Sequence, residues 1–274
     1  MLGRLAATLG AVAAAGTIAV ASSERGDQRA PAMTLKRLSQ ARAAMGGQEL
    51  LTIKTLSFKA RQRIRNRFFG QAPPSVAAEY AEAMFEARIL LPDHFLYERL
   101  LRFRLGEGRS RGGFAGNKPL GSADINQERR LFGYNYALPL FLGVDTAFPF
   151  SLREVAGDTL SFRDPDNAEV LLDLDPDTQL PSRVRYKMGM QGEQRDIVTQ
   201  IGDYRHIPGF RSLVLPYKLV QYAKSPSKPE GGLVMVQETI FETIEVNVPL
   251  TPKDFAVVAV KGPSARLGQP RARS

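Results

Sequence analysis

SLREVAGDTLSFRDPDNAEVLLDLDPDTQLPSRVRYKM, residues 151–188, decides the fold class. Short runs rich in β-branched and apolar residues, Ser151 to Ala156, Thr159 to Arg163, Ala168 to Leu174 and Arg183 to Met188, recur at close intervals. Between them stand turn-forming groups: Gly157-Asp158, Asp164-Pro165-Asp166-Asn167 and Asp175-Pro176-Asp177. Strands this close together, with turn residues and no helix-length segment between them, make antiparallel hairpins, not βαβ units. A further strand over Gln194 to Arg205, then Leu213 to Tyr222 and Leu233 to Val248 flanking a polar turn, continue the meander. The pattern predicts a mainly β chain with helices, built on a curved antiparallel sheet or partial barrel.

Upstream, the alternation of Phe95, Tyr97, Arg99, Leu101 and Phe103 with Leu96, Glu98, Leu100, Arg102 and Arg104 predicts another strand. Leu50 to Phe58 reads as a strand continuing into the basic run Arg61, Arg63, Arg65 and Arg67. Thr34 is placed to cap a helix over Leu35 to Met45, ended by Gly46-Gly47. Ser75 to Phe85, Ala- and Glu-rich after Pro73-Pro74, is expected to be helical, although Ala83 to Leu91 also suits a strand. Leu131, Phe132, Tyr134, Leu138, Phe141 and Leu142 suit a helix over Asn126 to Gly143, interrupted or bent near Pro139. Ala256 to Val260 is expected to finish an edge.

The first residues bear on location. Arg4 precedes an uncharged, Ala-rich run from Leu5 to Ala21 that ends in Ala19-Val20-Ala21, the small-x-small pattern of a signal-peptidase site. Residues 1–21 are therefore expected to be a signal peptide; a retained membrane anchor is the alternative, since the run is near the length of a short span. Residues 22–33 lack periodicity, 34–260 are expected to form one domain, and 261–274 a disordered basic tail. The net charge of +9 is concentrated at the ends: Arg4 carries one unit, and Lys261, Arg266, Arg271 and Arg273 carry four.

Chemistry-bearing motifs are scarce. Cysteine is absent, which excludes thiolate catalysis, cysteine metal sites and disulfides. The two histidines, His94 and His206, stand in no metal-ligand spacing, and no metal or other cofactor is expected. The run Asp173-Leu174-Asp175-Pro176-Asp177 lacks the glycine and distal glutamate of a calcium loop and reads as a strand end and Asx turn. No GxSxG occurs, and Gly112-Gly113 reads as a hairpin turn. The expectation is a protein that is not an enzyme.

Two features point to binding. Arg61, Arg63, Arg65 and Arg67 alternate, so a strand would set all four guanidinium groups on one face, either as a solvated outer surface or as a site for anionic headgroups. Residues 132–150 are dense in large apolar groups; Phe132, Tyr134, Leu138, Phe141, Leu142 and Phe148 are the candidates to line an apolar hollow between helix and curved sheet.

Taken in order, Met45-Gly46-Gly47, Ile53-Lys54-Thr55-Leu56, Pro92-Asp93-His94-Phe95, the stretch Leu172 to Pro181, the stretch Asp203 to Phe210, Leu215-Pro216, Val246-Asn247-Val248-Pro249-Leu250 and Asp254-Phe255 resemble the periplasmic outer-membrane lipoprotein carrier and receptor (LolA/LolB-like) superfamily over about residues 34–256. The resemblance implies a curved antiparallel sheet forming an unclosed barrel wrapped around helices, a half-barrel whose apolar concave side receives acyl chains. On it rests the expectation of a non-enzymatic periplasmic carrier for a lipid or acylated ligand; the Arg run adds an anionic membrane surface as a further partner, and export makes nucleic acid an unexpected one. The chain departs from the family in its longer Phe69 to Phe85 region, in lacking the receptor's lipidated cysteine, and in its Arg-rich strand and basic tail. The alternative is a structural or signalling envelope module that binds a protein partner through the sheet.

Overall fold

Strand β1 (Thr55–Arg65) sets the organisation, because it alternates Leu56, Phe58, Ala60, Gln62 and Ile64, all buried, with exposed Lys59, Arg61 and Arg63. Such period-two burial makes one face of the sheet interior and the other solvated. The computed structural model describes residues 32–65, 80–103, 106–121, 123–143, 146, 148–190, 193–224 and 232–256. The expected signal peptide, Arg67, the stretch 257–260 and the expected tail lie outside them.

Among the described residues eleven further strands follow: β2 (Tyr80–Leu90), β3 (His94–Phe103), β4 (Gly106–Ala115), β5 (Lys118–Pro119), β6 (Ser151–Ala156), β7 (Thr159–Arg163), β8 (Glu169–Leu174), β9 (Pro181–Met190), β10 (Glu193–His206), β11 (Val214–Lys224) and β12 (Leu233–Val246). All pairings are antiparallel, in the order β5-β4-β3-β2-β1-β12-β11-β10-β9-β8-β7-β6. The first and last strands therefore meet in the interior of the sheet, with Phe58 opposite Ile244 and Gln62 opposite Thr239. Each half is a simple meander of neighbouring hairpins.

The expected half-barrel is not what forms. The sheet ends in two edges, β5 and β6, and is open, neither closed nor strongly curled. Hairpin spacing specifies antiparallel neighbours, whereas curl depends on strand stagger and bulges, which the spacing does not encode.

Helix α1 (Ala32–Ala44) and the short α2 (Gln48–Leu51) precede β1. α1 packs near β6 and β7. Thr34 is buried inside its first turn and is not its cap. The corner after α1 is tied to the chain entering β11: Val214 N–H donates to Met45 O at 3.1 Å, and the Glu49 carboxylate accepts from the amides of Arg211, Ser212 and Leu213 at 2.9, 2.7 and 3.0 Å. The part of the strand expected at Leu50 is thus a helical turn that serves this junction.

Two other expectations are corrected. The Ala- and Glu-rich stretch is strand β2 from Tyr80 onward, because Ala81, Ala83, Phe85, Ala87 and Ile89 alternate with Glu82, Glu86 and Arg88, and that alternation overrides the helical propensity of Ala and Glu. Gly112-Gly113 lies within β4, not in a turn. Gly113 has φ +127°, and a Cβ there would collide with the Phe95 carbonyl oxygen. These glycines let β3 and β4 approach closely.

Between β5 and β6 runs the segment that covers the inner face: α3 (Ile125–Phe132), a π-turn (Gly133–Ala137) and α4 (Leu138–Phe141). Asp124 caps α3, accepting from Asn126 N–H at 2.8 Å. Phe132 and Tyr136 enter an aromatic cluster with Phe58, Phe85, Phe95, Phe114 and Phe241, with ring centroids 5.1–6.0 Å apart for Phe58–Phe241 and Phe95–Phe114. Phe148 and Phe150 extend a second cluster toward Phe162 of β7. A short 3-10 turn, Pro252–Phe255, packs Phe255 against the ring of His94 at the start of β3.

Candidate functional site

The π-turn follows from its sequence, Gly133-Tyr134-Asn135-Tyr136-Ala137, set just before Pro139. Proline has no N–H to give to residue 135, so the helical ladder is interrupted there. The Leu138 N–H instead reaches the Gly133 carbonyl five residues back. Gly133 is required, since a Cβ would strike the Phe148 ring. Single π-turns inside helices occur often at functional positions, and this one aims three consecutive side chains at different parts of the sheet.

Tyr134 stacks on Tyr186 of β9 and donates its hydroxyl hydrogen to Asp164 at 2.5 Å. Asp164 also accepts from the backbone of Asp166 and Ala168 at 2.9 and 2.7 Å, closing the turn between β7 and β8. Burial and the neighbouring Asp164 carboxylate hold the Tyr134 phenol far above the ordinary tyrosine range. Asn135 Oδ1 accepts from Tyr186 Oη at 3.4 Å and from Gln221 Nε2 at 3.3 Å; Gln221 Nε2 also donates to Tyr186 Oη at 2.8 Å. Tyr136 is fully buried among phenylalanines, and desolvation raises its phenol strongly.

Beneath these residues the inner face carries polar side chains where alternation calls for apolar ones. Gln62 of β1 donates to Thr239 of β12 at 3.2 Å, and Gln237 donates to the same hydroxyl oxygen at 3.1 Å. Gln62, Thr199 and Thr239 are each 2% exposed or less. Thr199 lies near enough to Tyr186 to ease its ionisation, yet its hydroxyl makes no well-formed hydrogen bond, and neither does Gln62 Oε1. Asn135, Tyr136, Thr199, Leu219, Gln221, Gln237 and Thr239 line a small cavity of about 10 Å³. This polar seam runs from β9 to β1 under the π-turn.

A second buried polar group stands beside it. Glu128 of α3 is 3% exposed and receives the Tyr97 hydroxyl at a long 3.5 Å; its Oε2 has no partner. Desolvation raises the Glu128 carboxyl above the usual range and, with Glu128 itself, pushes Tyr97 up to about 12. The Arg99 guanidinium lies over the Phe85 and Tyr97 rings, 5.4 and 5.8 Å from their centroids. A Cβ on Gly112 would stand 2.5 Å from Tyr97 Oη and 2.6 Å from a Glu128 oxygen, so the β4 backbone closes directly over this carboxyl. The group is a buried acid covered on one side by the β4 backbone.

The six apolar candidates are all packed into protein. Phe132, Tyr134, Leu138, Phe141, Leu142 and Phe148 are each 3% exposed or less and belong to one core cluster with the sheet. The inner face is thus filled by the chain's own rings, and the seam's cavity, at about 10 Å³, is one-water sized. Carriage of an amphiphile in an apolar hollow, and with it the half-barrel carrier description, is corrected by this solid packing on an open sheet.

The basic candidates lie on the opposite, outer face. Arg61 pairs with Glu242 at 2.7 Å; Arg63 lies 3.4 Å from Glu82 and 3.7 Å from Glu238; neighbouring Lys59 lies 3.4 Å from Glu86. Arg65 is half-buried at the end of β1. The basic column of β1 is therefore flanked by acidic columns on β2 and β12, and Lys218 of β11 meets Glu238 at 2.9 Å, continuing the alternation. A surface groove of about 170 Å³ opens beside these columns, walled by Ser57, Lys59, Glu86, Arg88, Leu96 and Glu98.

His94 Nδ1 lies 2.7 Å from Asp93 Oδ1. No group of three or more metal-ligating side chains occurs among the described residues. The seam was missed in the sequence, although its signal was present: Gln62 interrupts the apolar series Leu56, Phe58, Ala60 and Ile64 at an inward position.

No family model matches the chain, and no curated protein matches it. Among solved structures, an acetoacetate decarboxylase from Legionella pneumophila aligns with 69% of this chain and 81% of its own at 13% identity. Its TM-score of 0.16 is too low to carry an inference on fold or chemistry.

Proposed function

We propose that this chain is a non-enzymatic, exported interaction module that binds a protein partner across the outer face of its sheet. The observation that carries the reading is the set of alternating charge columns on β2, β1, β12 and β11, with the groove between Lys59, Glu86, Arg88 and Glu98 beside them. Exposed ion pairs contribute only about 0–1 kcal/mol each to folding. Ordered columns of them do more for recognition, where matched and mismatched charge decides which partner docks and in which register. The partner is accordingly a polypeptide surface bearing both signs of charge. A packed interior supports the same reading, since it leaves recognition to the surface.

The test is zero-length cross-linking in the native host, comparing the wild-type chain with a Glu86→Lys/Arg88→Glu reversal. Retained thermal midpoint with loss of a discrete heterologous adduct supports the proposal. An adduct unchanged by the reversal, or none in the wild type, overturns it.

A further inference from the structure

We propose that the polar seam under the π-turn is a binding site for one neutral, water-sized guest, a single internal water molecule that joins the π-turn to the sheet. The cavity has the volume of one water-sized sphere, about 10 Å³, which matches one water molecule. Its wall is amide and hydroxyl chemistry from Asn135, Thr199, Gln221, Gln237 and Thr239, with Leu219 as the aliphatic part.

The hydrogen-bond inventory defines what the guest must do. Thr239 Oγ1 already accepts from both Gln62 Nε2 and Gln237 Nε2, so its own hydrogen is left to donate. Thr199, 2% exposed, lines the cavity with a hydroxyl that makes no well-formed hydrogen bond. A guest that accepts from one hydroxyl and donates to the other satisfies both, and buried polar groups are satisfied as a rule. Water does this with two further valences for the amides.

Charge excludes the equally small alternative, a monovalent cation. No carboxylate lines the cavity, and the charged group acting on Tyr136 in its wall is the Arg99 guanidinium, which repels a cation. Two of the lining oxygens, Thr239 Oγ1 and Asn135 Oδ1, are neutral and already engaged as acceptors. The guest's role follows from its place: Asn135 belongs to the π-turn, while Thr199, Gln221 and Thr239 belong to β10, β11 and β12. A bridging water therefore couples the helical segment to three central strands.

Water-selective nuclear Overhauser spectroscopy on the full ¹⁵N-labelled chain tests this through the side-chain amides of Gln221 and Gln237. The expected result is water cross-peaks with the sign of a long-lived complex, lost in Thr199→Val and kept in Thr199→Ser. The ring-to-ring Overhauser effect between Tyr134 and Tyr186 reports whether each variant keeps the seam folded. Absence of long-lived water peaks in the wild type with that ring contact present overturns the proposal. So does retention of the peaks in a folded Thr199→Val, or a saturable shift of the same amides on titration with sodium, potassium or ammonium chloride, which would assign the site to a cation.

Discussion

Tyr134 and Tyr186 stack with ring centroids 4.2 Å apart and planes inclined by 24°, so a residue of the π-turn lies flat on the ninth strand. Each hydroxyl then serves a different purpose: that of Tyr134 anchors the Asp164 turn, and that of Tyr186 joins the Asn135 and Gln221 amides. One contact thereby links the helical segment, the β7–β8 turn and the seam.

Tyr134→Phe isolates the anchoring bond, because it keeps the ring and removes only the hydroxyl. Asp164 would retain the two backbone donors but lose the buried phenol. A hydrogen bond to a charged group is worth about 1.5–3 kcal/mol. A loss of that size is expected as a lowered urea midpoint with an unchanged slope, and an undiminished midpoint would mean that the turn does not depend on Tyr134.

Glu128→Gln tests the buried acid. Its folded carboxyl is raised by burial above the ordinary 4.5, so the folded state favours the protonated form. The stability this group contributes is fully present below pH 4.5 and falls away as pH rises through the raised folded value. The amide, which cannot ionise, is expected to raise the thermal midpoint at pH 7–8 relative to wild type and to leave the two proteins alike near pH 4. Thermal melts from pH 4 to 8 read this directly; a parallel offset at all pH values would refute the assignment.

Most strands were legible because alternation is a local property. The register of Phe58, Ala60 and Ile64 against Lys59, Arg61 and Arg63 follows from residue type alone, and β6 to β12 follow from turn residues between short apolar runs. Curl of the sheet was not legible, since it depends on where bulges such as those at Lys59/Ala60 and Gln221/Tyr222 fall in the pairing. Filling of the inner face was hidden for a related reason: the density of rings in residues 132–150 is the same whether they line a hollow or occupy it. The Arg column was found, but its neutralisation required knowing that β1 lies between β2 and β12, a pairing of chain-distant strands. Gln62 at an inward position was the one legible sign of the seam.

Glu49 gives the opposite pH signature to Glu128. Three backbone amides at 211–213 and the Ser212 hydroxyl donate to its carboxylate and lower it to about 2. A depressed carboxyl contributes stability above the unfolded value near 4.5, and this is lost as pH falls through about 2. Glu49→Gln is expected to be less stable than wild type at pH 7, with the difference shrinking between pH 4.5 and 2. Hydrogen exchange of the Arg211, Ser212 and Leu213 amides at neutral pH should accelerate in the same variant, which localises the effect to the corner between α1 and β11.

Glycine positions separate close packing from backbone conformation. At Gly113 a Cβ would collide with the Phe95 carbonyl, and φ is +127°, a value that L side chains rarely adopt. At Gly157 φ is +61°, but nothing lies within 4 Å of where a Cβ would stand. Gly157→Ala therefore carries only the cost of the left-handed backbone, roughly 1–2 kcal/mol, while Gly113→Ala must also push β3 and β4 apart where Gly113 faces Leu96, near the start of β3. Loss of that ladder exposes Phe95 and Phe114, both fully buried, together with the Phe132 ring packed on them. Destabilisation above about 4 kcal/mol is expected for Gly113→Ala, in the range reserved for severe core disruption. Equilibrium unfolding of the two variants side by side checks it, and equal losses would show that the close approach of Phe95 to β4 contributes nothing beyond turn geometry.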